Sequence, residues 1–143
     1  MERVLIVGEH SPHGRDDRHA LHPHPPGAAG SRLCGILGMA PCEYLETFDR
    51  ANLLKTSRWD PRRARVAAAN LTHARRILLG ARVAAAHGVE FHPFRTFYSD
   101  TVCLFGADVL VLPHPSGRCR IWNDRRSIAR ARRAVRRFLE EAT

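Results

Sequence analysis

Short runs of apolar residues recur along the chain, and segments with apolar residues at helical spacing separate them. Val4–Val7, Ile77–Gly80 and Val109–Leu112 are almost wholly apolar and are each bounded by glycine or proline, which is typical of strands buried on both faces. Asn52–Leu54 indicates the end of another such strand. We therefore expect an α/β protein with a three-layer α/β/α fold, a central, mostly parallel four-stranded sheet, and a single domain over residues 1–143.

Helices are predicted between these strands. Asp60 and Pro61 provide the cap and first turn of a helix that runs to about Arg75. Asp124 caps a final helix whose apolar residues recur at helical spacing and whose other face carries arginines. Further predictions are a helix capped by Ser31, a helix from Pro41 that carries Tyr44, Leu45 and Phe48, a short helix over Ala81–His87, and an edge strand and turn between Phe91 and Phe105.

The composition indicates a partner that carries negative charge. The 143 residues include 23 Lys+Arg against 14 Asp+Glu, which gives a formal net charge of +9. Such a balance favours nucleic acids, because basic side chains neutralise phosphates and release their counterions. The same arginines would also serve as solvated faces of helices.

The hydropathy pattern does not indicate a membrane or secretory protein. No apolar stretch approaches the length needed to cross a bilayer, and Met1–Arg3 leads directly into a strand-like run without the anatomy of a signal peptide. We therefore expect a cytoplasmic protein with no membrane partner. Separately, we expect a monomer.

Neither the cysteines nor the histidines form a motif that predicts a cofactor. The four cysteines include no Cys-x-x-Cys pair, so free thiols are expected. The segment from Glu9 to Gly30 is predicted to be a loop that covers a crevice, and its histidines lack a spacing that would preorganise a metal site. Arg32 follows this loop at a helix N-terminus, a position that suits anions. We expect no metal and no cofactor, and the histidines concerned are His10, His13, His19, His22 and His24.

The strongest candidate for chemistry is His114, which stands between Pro113 and Pro115 where a buried strand meets a loop. Each proline fixes its own φ and biases the preceding residue towards extended geometry, so the imidazole is held on a stiff, exposed tip. Ligands of α/β folds bind at the carboxyl ends of the strands. The loops that follow Gly8, Asn52 and Pro113 are therefore expected to converge on one crevice.

Two segments near the ends of the chain together resemble the uracil-DNA glycosylase superfamily. Val4–Pro12 is similar to the family's early motif, a strand followed by Gly-x-(Asp or Asn)-Pro, and Leu112–Gly117 resembles its late motif, a strand followed by His-Pro-Ser. Between them, Phe48–Leu54 resembles the family's strand that ends near a base-reading asparagine. The similarity covers nearly the whole chain in order and spacing, and it implies a short, divergent uracil-DNA-glycosylase-like domain.

The resemblance implies a DNA glycosylase that hydrolyses the N-glycosidic bond of uracil, or of a related modified or damaged pyrimidine, flipped out of single- or double-stranded DNA. His114 would donate a hydrogen bond to a carbonyl oxygen of the base and stabilise the departing anion. Asn52 would read the Watson–Crick edge, with Gly8, Pro12 and His13 around the base. The implied DNA contacts are Pro115, Ser116 and Gly117, with Arg118 in the place of the family's wedge residue. Two further candidate DNA contacts come from the residues themselves: Arg120, which is close to His114 in the sequence, and Trp122, an aromatic beside basic residues.

The first motif departs from the family pattern at Ser11, because the family has Asp or Asn directly before the proline. In the family that residue positions the attacking water or stabilises the sugar cation. In this chain Glu9 would supply the carboxylate, or His10 or His13 would orient water. The departure leaves two other functions open: a non-catalytic module that binds nucleic acid or a modified base, and a hydrolase or transferase that acts on free nucleotides.

Several of these residues also have structural explanations. Asn52 would end a strand through side-chain-to-backbone hydrogen bonds, and His114 would bond to a backbone carbonyl. Trp122 would be either a lid packed on the core or a platform on which a base stacks. Arg118 and Arg120 would be solvated loop charges or contacts to phosphate.

Overall fold

Five strands form one sheet in the computed structural model of the chain, which describes residues 2–10, 20–55, 58–91 and 100–141. The strands are β1 (Val4–His10), β2 (Phe48–Leu54), β3 (Arg75–Leu79), β4 (Asp100–Val102) and β5 (Asp108–Leu112). Their order across the sheet is β2–β1–β3–β5–β4, with all neighbours parallel except the edge strand β4, which is antiparallel to β5. The mostly parallel sheet is confirmed, but it has five strands and not four, because the segment predicted as an edge strand adds β4.

Helices of the described residues cover both faces of the sheet. One face carries α1 (Ala29–Leu37), α2 (Pro41–Thr47) and α5 (Arg125–Glu141), and the other carries α3 (Pro61–Asn70) and α4 (Ala81–Ala86). A short 3-10 helix, Arg120–Asn123, leads into α5. The predicted three-layer α/β/α fold is thereby confirmed. No helix in this part of the chain combines the length and the apolar character needed to cross a membrane.

The core consists of two apolar clusters, one on each face of the sheet. Val4 and Ile6 of β1 belong to the cluster under α1, α2 and α5, whereas Leu5 and Val7 belong to the cluster under α3 and α4. This division explains the continuous apolar run that predicted β1, since alternate side chains of a strand point to opposite faces and both faces are covered.

The first strand is longer than predicted and includes residues that we expected in a loop. β1 continues through Glu9 and His10, because Gly8 pairs with Asn52 and His10 pairs with Leu54 of β2. Asn52 therefore lies within β2 and does not follow it. The pairing of two strands that are distant in sequence fixes both positions more tightly than a loop would.

Two helix boundaries near the start of the chain also differ from those predicted. Phe48 was expected in a helix with Tyr44, but its backbone is extended and it begins β2, with its ring 5.7 Å from that of Tyr44 in the core. α1 begins at Ala29 and Ala28 is its capping residue, so Ser31 lies in the first turn and is not the cap. Burial of the apolar face overrode the capping preference of serine.

The predicted caps of α3 and α5 are confirmed, but the predicted end of α3 is wrong. The side chain of Asp60 accepts hydrogen bonds from two N–H groups in the first turn of α3, and Asp124 Oδ1 accepts one from the Arg126 N–H at 2.8 Å. α3 ends at Asn70 and does not reach Arg75, which is the first residue of β3 and pairs with β5.

A buried arginine joins the C-terminal ends of α3 and α4. Arg76 of β3 is 3% exposed and donates hydrogen bonds to the carbonyls of Ala68 and Leu71 at 3.0 and 2.9 Å. Its NH1 group lies 3.1 Å from Nε2 of the fully buried His87, whose Nδ1 is 2.9 Å from the Val83 carbonyl. Because a guanidinium can only donate, His87 accepts at Nε2 and carries its proton on Nδ1. Burial, the largest cause, lowers the pKa of His87 to about 4.

Candidate functional site

The strand order predicts a crevice at the carboxyl edge of the sheet. β2 lies on one side of β1, whereas β3 and β5 lie on the other side, so the direction of strand addition reverses between β1 and β3. In open α/β sheets such a reversal point is where ligands bind, outside the carboxyl ends of the strands. Glu9 and His10 end β1 there, and Gly80 and His114 follow β3 and β5 at the same edge.

His114 faces the end of β1 across this crevice. Its Nε2 lies 3.9 Å from Oε2 of Glu9, and its Nδ1 accepts a hydrogen bond from the Ser116 N–H at 3.1 Å. Gly80, with a φ of +91°, packs against the side chain of His114. A Cβ at position 80 would be 3.3 Å from the Cβ of His114. The Trp122 indole donates a hydrogen bond to the His114 carbonyl at 3.0 Å. The imidazole is therefore positioned by its own loop and by Gly80, while Trp122 holds the backbone of His114.

The protonation state of His114 follows from these contacts. Burial, the largest cause, lowers the pKa of His114, and nearby His10 lowers it further, while the carboxylate of Glu9 opposes them. The ring is therefore neutral near pH 7, and because Nδ1 accepts from Ser116, the proton is on Nε2. The 3.9 Å separation from Glu9 is longer than a hydrogen bond, so the Nε2–H group has no hydrogen-bond partner among the described residues.

We expect nitrogen-15 NMR of histidine-labelled protein to show His114 as the Nε2–H tautomer at pH 7, with a pKa below the ordinary 6.5. In Glu9→Gln the pKa should fall further, because the carboxylate that favours the imidazolium is gone. A neutral ring protonated on Nδ1, or a pKa that rises in Glu9→Gln, would contradict this geometry.

The carboxylate of Glu9 has two different neighbours. Oε2 faces His114, while Oε1 lies 3.6 Å from NH1 of Arg82, in the first turn of α4. Beside it, Nδ1 of His10 is buried and has no hydrogen-bond partner among the described residues. Buried polar atoms are normally paired, so this nitrogen is suited to a water or a polar ligand atom.

A polar and an apolar side chain lie close to Gly8 of β1. A Cβ at Gly8 would overlap Oδ1 of Asn52 and would lie 3.3 Å from both terminal carbons of Leu21, so the glycine leaves room for both side chains. Tyr44 and Arg50 hold this part of the chain in place by donating hydrogen bonds to the carbonyls of Leu21 and Ala20, at 2.8 and 3.1 Å. Asn52 therefore lies beside Gly8, and its role as the base-reading residue stays a prediction.

The loop after His114 faces a basic side chain from α1. The guanidinium of Arg32 lies against Gly117, where a Cβ would be 2.8 Å from NH2. A pocket of about 270 Å³ is lined by Arg32, Ser116, Gly117 and Trp122, among others. The positive charge of Arg32 at this pocket suits a phosphate group.

The other predicted contact residues have different exposures. Arg118 and Arg120 are exposed, whereas Pro115 is buried and shapes the loop without presenting its ring to a partner. Trp122 packs against the apolar cluster under α1 and α5, which agrees with the alternative in which it is a lid on the core. Its indole N–H donates a hydrogen bond to the His114 carbonyl. A base would therefore stack on Trp122 only if this packing changed.

Three predicted site residues, Ser11, Pro12 and His13, lie outside the described residues, so their predicted roles stay predictions. Of the histidine-rich segment, the rings of His22 and His24 lie 5.7 Å apart. The described ranges hold no group of three or more His, Cys, Asp or Glu side chains that could bind a metal ion.

Sequence reasoning missed two residues that position the site. Gly80 was assigned to a strand, yet it follows β3 with a positive φ, and its lack of a side chain lets His114 pack closely against it. Arg82 was read only as part of a short helix, although it is the cation nearest to Oε1 of Glu9 in the described structure. The glycine between a strand and a helix was the available signal for the first, and no sequence signal identified the second.

Comparison of the chain with protein-family models, with curated proteins and with solved structures finds no match. The resemblance to the uracil-DNA glycosylase superfamily therefore stays a prediction from the motifs.

Proposed function

We propose that this protein is a DNA glycosylase that hydrolyses the N-glycosidic bond of uracil, or of a related modified or damaged pyrimidine, extruded from DNA. The observation that carries the proposal is the pairing of Glu9 with His114 across the crevice. A carboxylate and a neutral imidazole that offers an Nε2–H group are the two groups that hydrolysis with an anionic leaving base requires.

The chemistry would proceed in one displacement. Glu9 takes a proton from water, whose oxygen bonds to the anomeric carbon of the sugar, and the electron pair of the glycosidic bond leaves with the base. His114 donates its Nε2–H to a carbonyl oxygen of the base and so stabilises the negative charge that develops there. Glu9 thus takes the role that the resemblance assigns to the residue at Ser11, which explains how hydrolysis would survive the altered motif.

The walls of the crevice would select and hold the base. The amide of Asn52 offers both a donor and an acceptor to a Watson–Crick edge, and Leu21 gives the base an apolar surface. Gly8 leaves room for the side chains of Asn52 and Leu21 to lie against β1. Nδ1 of His10, which lacks a partner among the described residues, would bind the attacking water or a polar atom of the base.

The DNA backbone would lie across the loop after His114. Ser116 and Arg32 would hold a phosphate at the pocket beside Gly117, and Arg118 and Arg120 are exposed next to it. α5 carries further exposed arginines, and Ile128 near the start of α5 lines the same pocket. A net charge of +9 supports such a partner. The monomeric state and the cytoplasmic location belong to this proposal as predictions.

A panel of single- and double-stranded oligonucleotides, each with one modified pyrimidine, tests the proposal. After incubation with the protein, alkali should cleave at least one strand at its modified base, because excision leaves an abasic site. Unmodified strands provide the control. Binding of a modified base without any alkali-sensitive product would instead support the non-catalytic module. Release of base from free nucleotides alone would support a nucleotide hydrolase, and either result would contradict a DNA glycosylase.

A further inference from the structure

A second concave surface lies beside the crevice, on the side of α3 and α4. It has a volume of about 380 Å³, and we call it the Trp59 groove because Trp59, Arg62, Arg65 and Arg82 contribute its aromatic and charged side chains. Trp59 directly precedes the capping residue of α3 and is half-buried, packed against the apolar cluster of that face. The groove therefore contains an aromatic side chain that the apolar core holds in place.

One residue connects the groove to the crevice. The guanidinium carbon of Arg82 lies 5.8 Å from the centre of the Trp59 ring, and NH1 of Arg82 lies 3.6 Å from Oε1 of Glu9. Glu9 in turn faces His114 at 3.9 Å. A ligand in the groove would thus lie next to one in the crevice.

Two arginines of the groove, Arg62 and Arg65, form no ion pair within the part of the chain that the structure describes. Arg62 and Arg65 are three residues apart on the exposed side of α3, so they lie on neighbouring positions of its surface. Neither guanidinium forms an ion pair with another described residue. The nearby carboxylate of Asp60 accepts hydrogen bonds from two N–H groups of α3. Two arginines are therefore available beside the aromatic ring.

We infer that the Trp59 groove binds a nucleotide of single-stranded DNA, next in the strand to the base in the crevice. This inference rests on the proposed function for the occupant of the crevice. Trp59 would stack on the base, and Arg62 and Arg65 would contact the phosphate, which is the combination that single-strand binding sites use. A base inside a duplex has both faces covered by its neighbours, so the groove favours an unpaired strand.

Binding of fluorescein-labelled (dT)8, which contains no modified base, tests whether a base stacks on Trp59. Fluorescence anisotropy should show Trp59→Leu binding about 10-fold more weakly than wild type, the size of effect seen when one stacked base loses its aromatic partner. Trp59→Phe keeps an aromatic face and should recover most of the affinity. Equal affinity for wild type and Trp59→Leu, or equal losses in Trp59→Leu and Trp59→Phe, would overturn the inference.

A pair of charge variants on the same helix tests the phosphate contact. Arg65→Ala removes a charge from the groove, whereas Arg63→Ala removes one from the same helix without lining the groove. Arg65→Ala should reduce the salt dependence of (dT)8 binding by about 0.7 in logarithmic slope, as expected for one phosphate on a single strand. Arg63→Ala should leave the slope unchanged. Equal effects of the two variants, or equally strong binding of poly-glutamate, would show attraction of any polyanion and overturn the inference.

The same variants separate this inference from the proposed function. Because (dT)8 binding requires no excision, a Trp59-dependent affinity in a protein that excises nothing would support the groove and reject the glycosylase. Excision with a KM that is the same in wild type and Trp59→Leu on single-stranded substrate would support the glycosylase and reject the groove.

Discussion

Replacement of His114 by alanine is expected to lower the rate of base excision by about 10²–10³-fold, the effect of removing one preorganised donor from a developing anion. The Nε2–H group is the donor in question, since Ser116 occupies Nδ1 and the separation from Glu9 is too long for a hydrogen bond. Single-turnover excision from the best substrate of the panel, followed by alkali cleavage, measures this rate. DNA affinity should change little, because the loss concerns the transition state and not the bound strand.

Two further variants show whether His114 acts chemically. His24→Ala removes an exposed histidine and should leave the rate unchanged. The double variant Glu9→Gln/His114→Ala should be less impaired than the product of the two single effects, because residues that act as a unit are non-additive. An excision rate in His114→Ala that matches wild type would reject this residue as the donor to the leaving base.

The sequence predicted the architecture because the information for it is local. Each of Val4–Val7 and Val109–Leu112 is an uninterrupted apolar run, and such runs are needed only where both faces of a sheet are covered. The caps Asp60 and Asp124 likewise act within their own first turn. The convergence of His114 and the end of β1 then follows from parallel pairing, because the carboxyl ends of parallel strands share one edge.

The details that the sequence did not predict depend on contacts between distant segments. Glu9 was expected in a loop, yet the pairing of His10 with Leu54 extends β1 past it and so fixes its direction. The ion pair of Glu9 with Arg82 depends on how α4 packs beside β1, which no spacing in the sequence encodes. Side-chain geometry of this kind appears only once the chain is folded.

The two ends of the sheet have different roles in this protein. The carboxyl edge holds His114 and the carboxylate of Glu9 close together, whereas Arg76, near the amino end of β3, and His87 form a closed network with backbone carbonyls. In the first arrangement the Nε2–H group of His114 has no hydrogen-bond partner within the described ranges. The second satisfies the C-terminal carbonyls of α3 and α4 and serves stability.

Acid is therefore expected to destabilise the fold through His87. The pKa of His87 is about 4 in the folded protein, against an ordinary value of 6.5. Between these values the unfolded chain binds a proton that the folded protein does not, so stability is complete above pH 6.5 and falls as the pH drops towards 4. Protonation would also place a hydrogen on Nε2, facing the guanidinium of Arg76. The shift corresponds to a loss of about 3 kcal/mol in the free energy of unfolding by pH 4.

Urea unfolding of wild type and His87→Gln between pH 7 and pH 4 isolates this contribution. Glutamine can accept from Arg76 and donate to the Val83 carbonyl without titrating, so the variant should lose about 3 kcal/mol less than wild type over this interval. His24→Gln, which removes an exposed histidine, should follow the wild-type curve. Parallel pH curves for wild type and His87→Gln would show that His87 is accessible to protons in the folded state, which would contradict its complete burial beside Arg76.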